Sequence, residues 1–418
     1  MKNVQFCGPL SQLRVLDFTQ FLSGPYATQI LGDLGADVIK IEAVDGDMTR
    51  RLPPYFVGSE SAYYLSINRN KRSLAIDLKS KTGRELAREL ALNCDVVVEN
   101  FRPRVLEKLG LSYADIAAAK PEIIWCSISG FGQDGPYRDR PAYDMIVQAM
   151  SGGMSITGEK DGHPVRSGIP IGDISAGMYG VIGVLAALAE KNRTGKGKLI
   201  DVSMLDCQIA MLSYQAAYYL ASGDVPARQG SGHDSIPTYR SFTCGDGMDI
   251  AITANTERMW INLCGVLGHP ELPADKRFVT NERRYANRDA LWNILEPAFL
   301  TKSASEWVEA LIAAEVPAAI VNTLDRSLND PQVLHRKMVL AMQGPKGEKL
   351  RVAGNPLKFI GEGDPAYRYP PQLGADTSAV LKSVLGLEQE RIDALANDGA
   401  FGAKKQPTKE AAKQRVPS

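Results

Sequence analysis

The most chemically suggestive stretch of this chain runs from Gly168 to Gly177, with Asp173 at its centre. Pro170 and Gly172 interrupt whatever precedes them, and an apolar run from Met178 to Ala189 follows at helical spacing. A carboxylate therefore sits where a helix begins. Two readings compete. Asp is among the best N-cap residues, and a cap is the commoner reason for one at a helix start. The same geometry also makes a nucleophile: near a helix N-terminus the carboxylate stays ionised, and neighbouring N–H groups can steady an oxyanion.

Other residues suggest an anionic ligand. Asn68 to Ser73 is the densest polar and basic turn, and Lys79, Asn100 to Arg104 and Lys108 add cations near expected strand ends. Guanidinium groups pair phosphate oxygens in a bidentate way, whereas solvated surface is the plain alternative for any one loop. Gly130-Phe131-Gly132-Gln133-Asp134-Gly135 matches Gly-x-Gly-x-x-Gly, but Pro136 and Pro141 prevent a helix from starting on those glycines. No Gly-x-Ser-x-Gly elbow and no Gly-x-x-x-x-Gly-Lys-[Ser/Thr] loop is present. The six cysteines and four histidines are scattered, which argues against a metal cluster or a disulfide framework and fits a reducing cytoplasm. A carboxylate is left as the best nucleophile candidate.

The elements that must position these residues read as α/β. Strands are expected at Leu13–Phe18, Asp37–Glu42, Ser73–Leu78, Cys94–Glu99, Glu122–Ser129 and Leu199–Met204, with helices between, as over Lys81–Leu92. This alternation predicts a parallel sheet with crossover helices. Leu205 to Leu220 reads as one long apolar helix. With 418 residues, two domains are expected: 1–224 and 326–400 form a large domain, and 225–325 a smaller α+β domain with a hairpin at Gly245–Gly247. Composition predicts a disordered tail over 401–418. Lys+Arg and Asp+Glu are both 48, which argues against a nucleic-acid partner. The first residues carry no signal-peptide core, and no apolar run is read as membrane-spanning, so neither membrane nor export is expected.

Taken together, these stretches resemble the class III coenzyme A-transferases, the family of formyl-CoA transferase and carnitine CoA-transferase. The resemblance rests on Val15–Thr19, Ser23-Gly24-Pro25, Leu34–Glu42 and Gly46–Arg50. It continues through Asn68–Ser73, Val98–Pro103, the Asp173 stretch, Arg193–Gly197 and Ile200-Asp201-Val202. It implies a Rossmann-like large domain, a smaller α+β domain and an interlocked homodimer. It also implies covalent catalysis: Asp173 attacks a donor thioester to give an anhydride, then an aspartyl-CoA thioester that passes CoA to an acceptor acid. Coenzyme A is then a substrate, the partners are an acyl-CoA and a carboxylic acid, and no metal or permanently bound cofactor is required.

By position, the resemblance puts CoA contacts on Leu22, Ser23, Ala43, Ile76, Asp77, Leu78, Lys79, Asn100, Phe101, Arg102, Lys108, Tyr143 and Asp144. The chain departs from formyl-CoA transferase at Leu22-Ser23, which stands where that enzyme has Gln-Ala, and at Ala43, which replaces an Arg. The family's Gly-rich substrate loop is replaced by Gly230–Tyr239. That loop, with Pro53–Ser61 and Tyr63–Ser66, is most similar to the succinyl-CoA:glutarate branch, which implies C4–C5 dicarboxylates. A dicarboxylate acceptor needs a further polar contact, for which Arg50, Arg166 and His233 are candidates. Racemases of the same fold use a His–Asp pair, but their His falls at Tyr143 here, and a phenol is a poor substitute for imidazole. A non-catalytic CoA-binding protein is the remaining alternative.

Overall fold

The computed structural model describes residues 8–361, 363 and 365–402. The tail expected to be disordered lies outside the described residues from 403 on. The chain forms two compact units, 1–151 with 168–216 and 337–418, and 152–167 with 217–336. The compositional boundaries at 225 and 325 both fall inside the second unit. The Arg228 guanidinium explains part of this, because it donates to the carbonyls of Ser155, Glu159 and Gly162 and so ties 152–167 to the chain that follows 217.

The first unit is built on six strands: β1 (Arg14–Asp17), β2 (Asp37–Glu42), β3 (Lys71–Ala75), β4 (Val96–Glu99), β5 (Ile124–Ser129) and β6 (Leu199–Ser203). They lie in the order β3-β2-β1-β4-β5-β6, and all the pairs are parallel. In a doubly wound sheet of this order, the chain reverses direction between β1 and β4, and ligands bind outside the strand ends at that crevice. Val96 to Val98 are fully apolar and buried, as strands covered on both faces must be.

Strand β3 begins two residues earlier than expected. Lys71 and Arg72 enter the sheet because carboxylates neutralise them: Lys71 Nζ lies 3.1 Å from Asp17, and Arg72 makes two bonds to Asp37.

On one face lie α1 (Ser23–Asp33) and α5 (Ile171–Thr194), the latter entered after α4 (Asp144–Met150). The apolar core of this face joins Val15, Leu31, Val98, Ile128, Ala176 and Val184. On the other face lie α2 (Lys81–Leu92) and α3 (Val105–Lys108). The returning helices α8 (Thr377–Leu385) and α9 (Gln389–Asn397) join the core of that face, with Val380, Leu381, Ile392 and Leu395 packed beside Leu86 and Leu90.

α5 is long and apolar enough to cross a membrane, contrary to the expectation that no run is. Its small residues explain the difference. Gly172, Gly177 and Gly180 are buried and let it pack closely, as the glycine-rich side of a core helix does. The long helix expected after β6 is two, α6 (Met204–Met211) and α7 (Tyr214–Ser222), because Ser213 adopts φ +50° and breaks the path.

The second unit contains an antiparallel pair, β7 (Tyr239–Thr243) and β8 (Asp249–Thr253), with β9 (Ala318–Ile320) alongside. The hairpin turns at Gly247, φ +77°. Its helices close a core around Trp260, Leu263, Phe299 and Trp307.

Candidate active site

Asp173 does not cap its own helix. It stands in the first turn of α5, whose N-cap position is Pro170, a residue with no side-chain acceptor. The cap comes from α4 instead. Asp144 Oδ1 accepts the Gly172 N–H at 2.8 Å and the Asp173 N–H at 3.4 Å. Gln148 holds the other oxygen through a 2.7 Å bond from Nε2. Gly172 permits this approach, since a Cβ there would lie 3.0 Å from Asp144 Oδ1 and 2.7 Å from Val147 Cγ2. Pro170 was the signal in the sequence: a helix starting on proline must find its acceptor elsewhere.

The Asp173 carboxylate is thus free for other contacts. Beside it stands Ser23, the first residue of α1. Burial pushes the Asp173 pKa up most, the Asp144 carboxylate pushes it further, and the hydroxyl and amide of Ser23 pull it back. The balance leaves it raised to about 7. The expectation of a carboxylate held ionised by the helix terminus is therefore corrected. Desolvation and the like charge of Asp144 raise its pKa. Tyr63 faces the same charges. Burial, then Asp173, Asp47 and Asp144, push its phenol up to about 12.

Ser23 follows β1 and Asn100 follows β4, so both stand at the crevice between those strands. Asn100 Oδ1 accepts the Gln20 N–H at 2.8 Å, and its Nδ2 donates to the Gln20 carbonyl at 2.8 Å and to Ser23 Oγ at 3.2 Å. Beside this crevice lies a cavity of about 380 Å³, lined in part by Ala43, Ile76, Asp77, Leu78, Lys79 and Phe101. Six of the expected CoA contacts are thus brought together along one wall, which also includes Gln20 and Lys40. That size and position suit part of a nucleotide-bearing ligand. Leu22 and Ser23 are at the start of α1 and Lys108 is on exposed α3. Arg102 lines a neighbouring pocket with Glu99 and Gln133. Tyr143 is 63% exposed, its ring edge-on to Phe21 at 5.7 Å. The side chains of Asn100 and Asp144 are engaged by protein partners, Asn100 on Gln20 and Ser23, Asp144 on α5 and Gln148.

Several cations read as ligand-binding are structural. Arg50 is buried and makes two 2.7 Å bonds to Glu42, an ion pair to Glu60 at 3.0 Å and a bond to the Tyr64 hydroxyl at 2.6 Å. It has no free face for an acceptor carboxylate. In the basic turn, Arg69 pairs with buried Asp33, and Lys71 and Arg72 pair with Asp17 and Asp37. The sequence displays these cations but not carboxylates that lie more than thirty positions away along the chain.

Of the remaining candidates, Arg166 is exposed and donates to the Ser167 carbonyl at 3.0 Å. His233 stacks on Tyr239 at 5.3 Å, and its Nδ1 accepts the Ser235 N–H at 3.1 Å. Both belong to the second unit. Glu99, at the end of β4, was not singled out by sequence. Burial raises its pKa to about 7 against bonds from Ser127 and the Phe101 amide.

A carboxylate at the switch point of a parallel sheet, with a cavity lined by strand ends nearby, agrees with what the chain resembles. The model of CoA-transferase family III matches residues 10–377. The succinyl-CoA:glutarate CoA-transferase of Homo sapiens is 40% identical over 400 residues, covering 96% of this chain and 90% of that one. The acetyl-CoA:oxalate CoA-transferase of Acetobacter aceti is 40% identical, covering 90% of this chain and 95% of that one. Among solved structures, a CAIB/BAIF family protein from Brucella suis superposes with a TM-score of 0.80 at 38% identity, over 90% of this chain and 99% of that one. The glutarate-type and oxalate-type relatives differ in acid but share the transfer of CoA, and on this evidence the chain is an enzyme that belongs to CoA-transferase family III.

Proposed function

We propose that this enzyme moves CoA from succinyl-CoA, or another dicarboxylyl-CoA, to a C4–C5 dicarboxylate through covalent intermediates on Asp173. One observation carries the reading: Asp144 caps α5, so the Asp173 carboxylate is released from capping and stands beside Ser23 at the start of α1. Attack of that carboxylate on the donor thioester forms an anhydride and expels CoA thiolate. The thiolate then attacks the Asp173 carboxyl carbon, forming the aspartyl-CoA thioester and releasing the donor acid. The acceptor carboxylate reverses these steps and leaves as its CoA ester. The adjacent cavity suits the nucleotide end of CoA.

The glutarate and oxalate relatives support a short dicarboxylate acceptor. We read the enzyme as a homodimer, because Met178, Tyr179, Ile182 and Leu185 form an exposed apolar stripe along α5. Five free, buried cysteines fit a cytoplasmic setting.

The test is intact-mass spectrometry after mixing with succinyl-CoA and quenching with hydroxylamine. A hydroxamate at residue 173 in the wild type and none in Asp173→Ala supports the reading. Labelling elsewhere, or equal labelling of both, overturns it. A dicarboxylate screen then identifies the acceptor, and light scattering showing a monomer would remove the dimer.

A further inference from the structure

We propose that Gln148 is a positioning residue for Asp173: its amide fixes the Asp144 carboxylate, and that carboxylate fixes the backbone from which the Asp173 side chain projects. The inference rests on the covalent reading above. It gives a role to a residue that neither the sequence motifs nor the family resemblance singled out.

The geometry begins on α4, where Asp144, Val147 and Gln148 are spaced to share one helix face. Val147 and Gln148 are buried, whereas Met145 and Ile146 between them are exposed. Gln148 Nε2 donates to Asp144 Oδ2 at 2.7 Å, a length typical of a bond to a charged acceptor. This partner sets the amide's orientation, since Oε1 in the same place would face a carboxylate oxygen. Asp144 Oδ1 is then turned to the amides of Gly172 and Asp173, at 2.8 and 3.4 Å. One carboxylate thus joins a buried side chain of α4 to the two peptides that open the reactive turn.

The contact between the two helices has little slack, because any side chain at Gly172 would collide with Val147 and Asp144. The other side of the turn has separate support. Ser175 Oγ donates to the Gly172 carbonyl at 3.2 Å, and Gln208 of α6 donates to that hydroxyl at 3.4 Å. Gln148 therefore acts on the amide side alone. Removing its donor leaves α5 in place and frees the orientation of Asp144.

Two consequences follow for the chemistry. In the covalent reading, an Asp173 oxygen must meet the thioester carbon along one line. The C–O bond forms, the C–S bond breaks, and its electron pair leaves on the CoA sulfur. A small shift of the turn then costs rate without costing affinity for the acyl-CoA. The second consequence concerns charge. The groups that act on Asp173 are Asp144 from α4, the uncharged Ser23 from α1 and Tyr63 from the helix Ala62–Ser66, and Asp47 acts in turn on Tyr63. Asp144 is the like charge among those around Asp173, and Gln148 is the donor that keeps it there.

The experiment compares wild type, Gln148→Met, Gln148→Glu, Asp144→Ala and the Asp144→Ala/Gln148→Met double variant, with succinyl-CoA, across neutral pH and beside thermal melts. Gln148→Met fills the same volume without a donor. It is expected to lower kcat about tenfold with KM for the acyl-CoA unchanged. The acid limb of its kcat profile moves to lower pH, because the Asp144 charge is no longer held beside Asp173. Gln148→Glu also lowers kcat but moves the limb to higher pH, because it adds a negative charge. The double variant is no worse than Asp144→Ala alone, as expected if Gln148 acts through Asp144. A folded Gln148→Met enzyme with wild-type kcat and an unmoved acid limb overturns the proposal. So does a loss confined to KM. If Gln148→Met does not fold, Gln148→Glu decides on the same two readouts. If Asp173→Ala still abolishes hydroxamate formation when the Gln148 variants behave as wild type, only the positioning role falls. If Asp173→Ala is labelled like wild type, the covalent reading falls first.

Discussion

Two carboxylates of the first unit, one buried and one half-buried, are treated in opposite ways. At the end of β1, Asp17 is 0% exposed, yet its pKa lies below the ordinary value. Burial, the largest influence, pushes it up. Lys71 and Lys40 and the hydroxyls of Thr19 and Thr28 more than reverse that. Around Asp173 the second influence after burial is another carboxylate, and only the Ser23 donors oppose it. The comparison separates two settings of an acid in the fold. Surrounded by cations and hydroxyls, it locks strands together. Beside a like charge and a few neutral donors, it is left with a pKa of about 7.

The largest break in that comparison is Asp173→Ala. It should abolish CoA exchange, by on the order of 10⁴-fold or more, with the fold retained. Turnover with succinyl-CoA and a dicarboxylate, read beside circular dichroism, checks it. Next is Asp17→Asn, which leaves Lys71 and Lys40 facing a neutral amide. Breaking a buried pair on one side costs about 3–5 kcal/mol, and chemical denaturation measures it. Because the Asp17 pKa is depressed, its stabilising effect is present above the unfolded value near 3.8 and is lost as pH falls below it. The variant should therefore lose its deficit in acid.

Asp173→Asn should do the reverse. An acid whose folded pKa is raised to about 7 destabilises the fold when it ionises, so stability falls as pH rises from about 4 to about 7. Replacing it should raise stability at pH 8 by about 1–2 kcal/mol after allowance for solvent, and by nothing at acid pH. Thermal melts at the two pH values decide the matter. The smallest effect is expected from Asp144→Asn. An amide oxygen can keep the α5 cap, so the change chiefly removes repulsion. The acid limb of the activity profile should then move to lower pH.

How far the sequence disclosed this depended on distance along the chain. The order of strands and helices was legible because hydrophobic period and turn residues are local, and Asp37–Glu42 and Lys81–Leu92 form over those residues. Asp173 was legible as a candidate through Pro170, Gly172 and the apolar run after it. Its raised pKa was not, because burial and Asp144, which comes from another helix, are what raise it. The cations of Arg50 and Asn68–Ser73 were misread because their partners, Glu42, Asp33 and Asp37, lie in other elements, and pairing between elements leaves no mark in either stretch alone. The break at Ser213 was also hidden, because a single left-handed residue has no periodic signature.

The capping of α5 by Asp144 also bears on the covalent cycle proposed for Asp173. A nucleophile that caps its own helix would have to release the helix start each time it became esterified, and that first turn would loosen and re-form with every turnover. Here the amides of Gly172 and Asp173 are held by a carboxylate on a different helix. On the covalent mechanism proposed above, the chemical state of residue 173 and the integrity of α5 are thereby uncoupled.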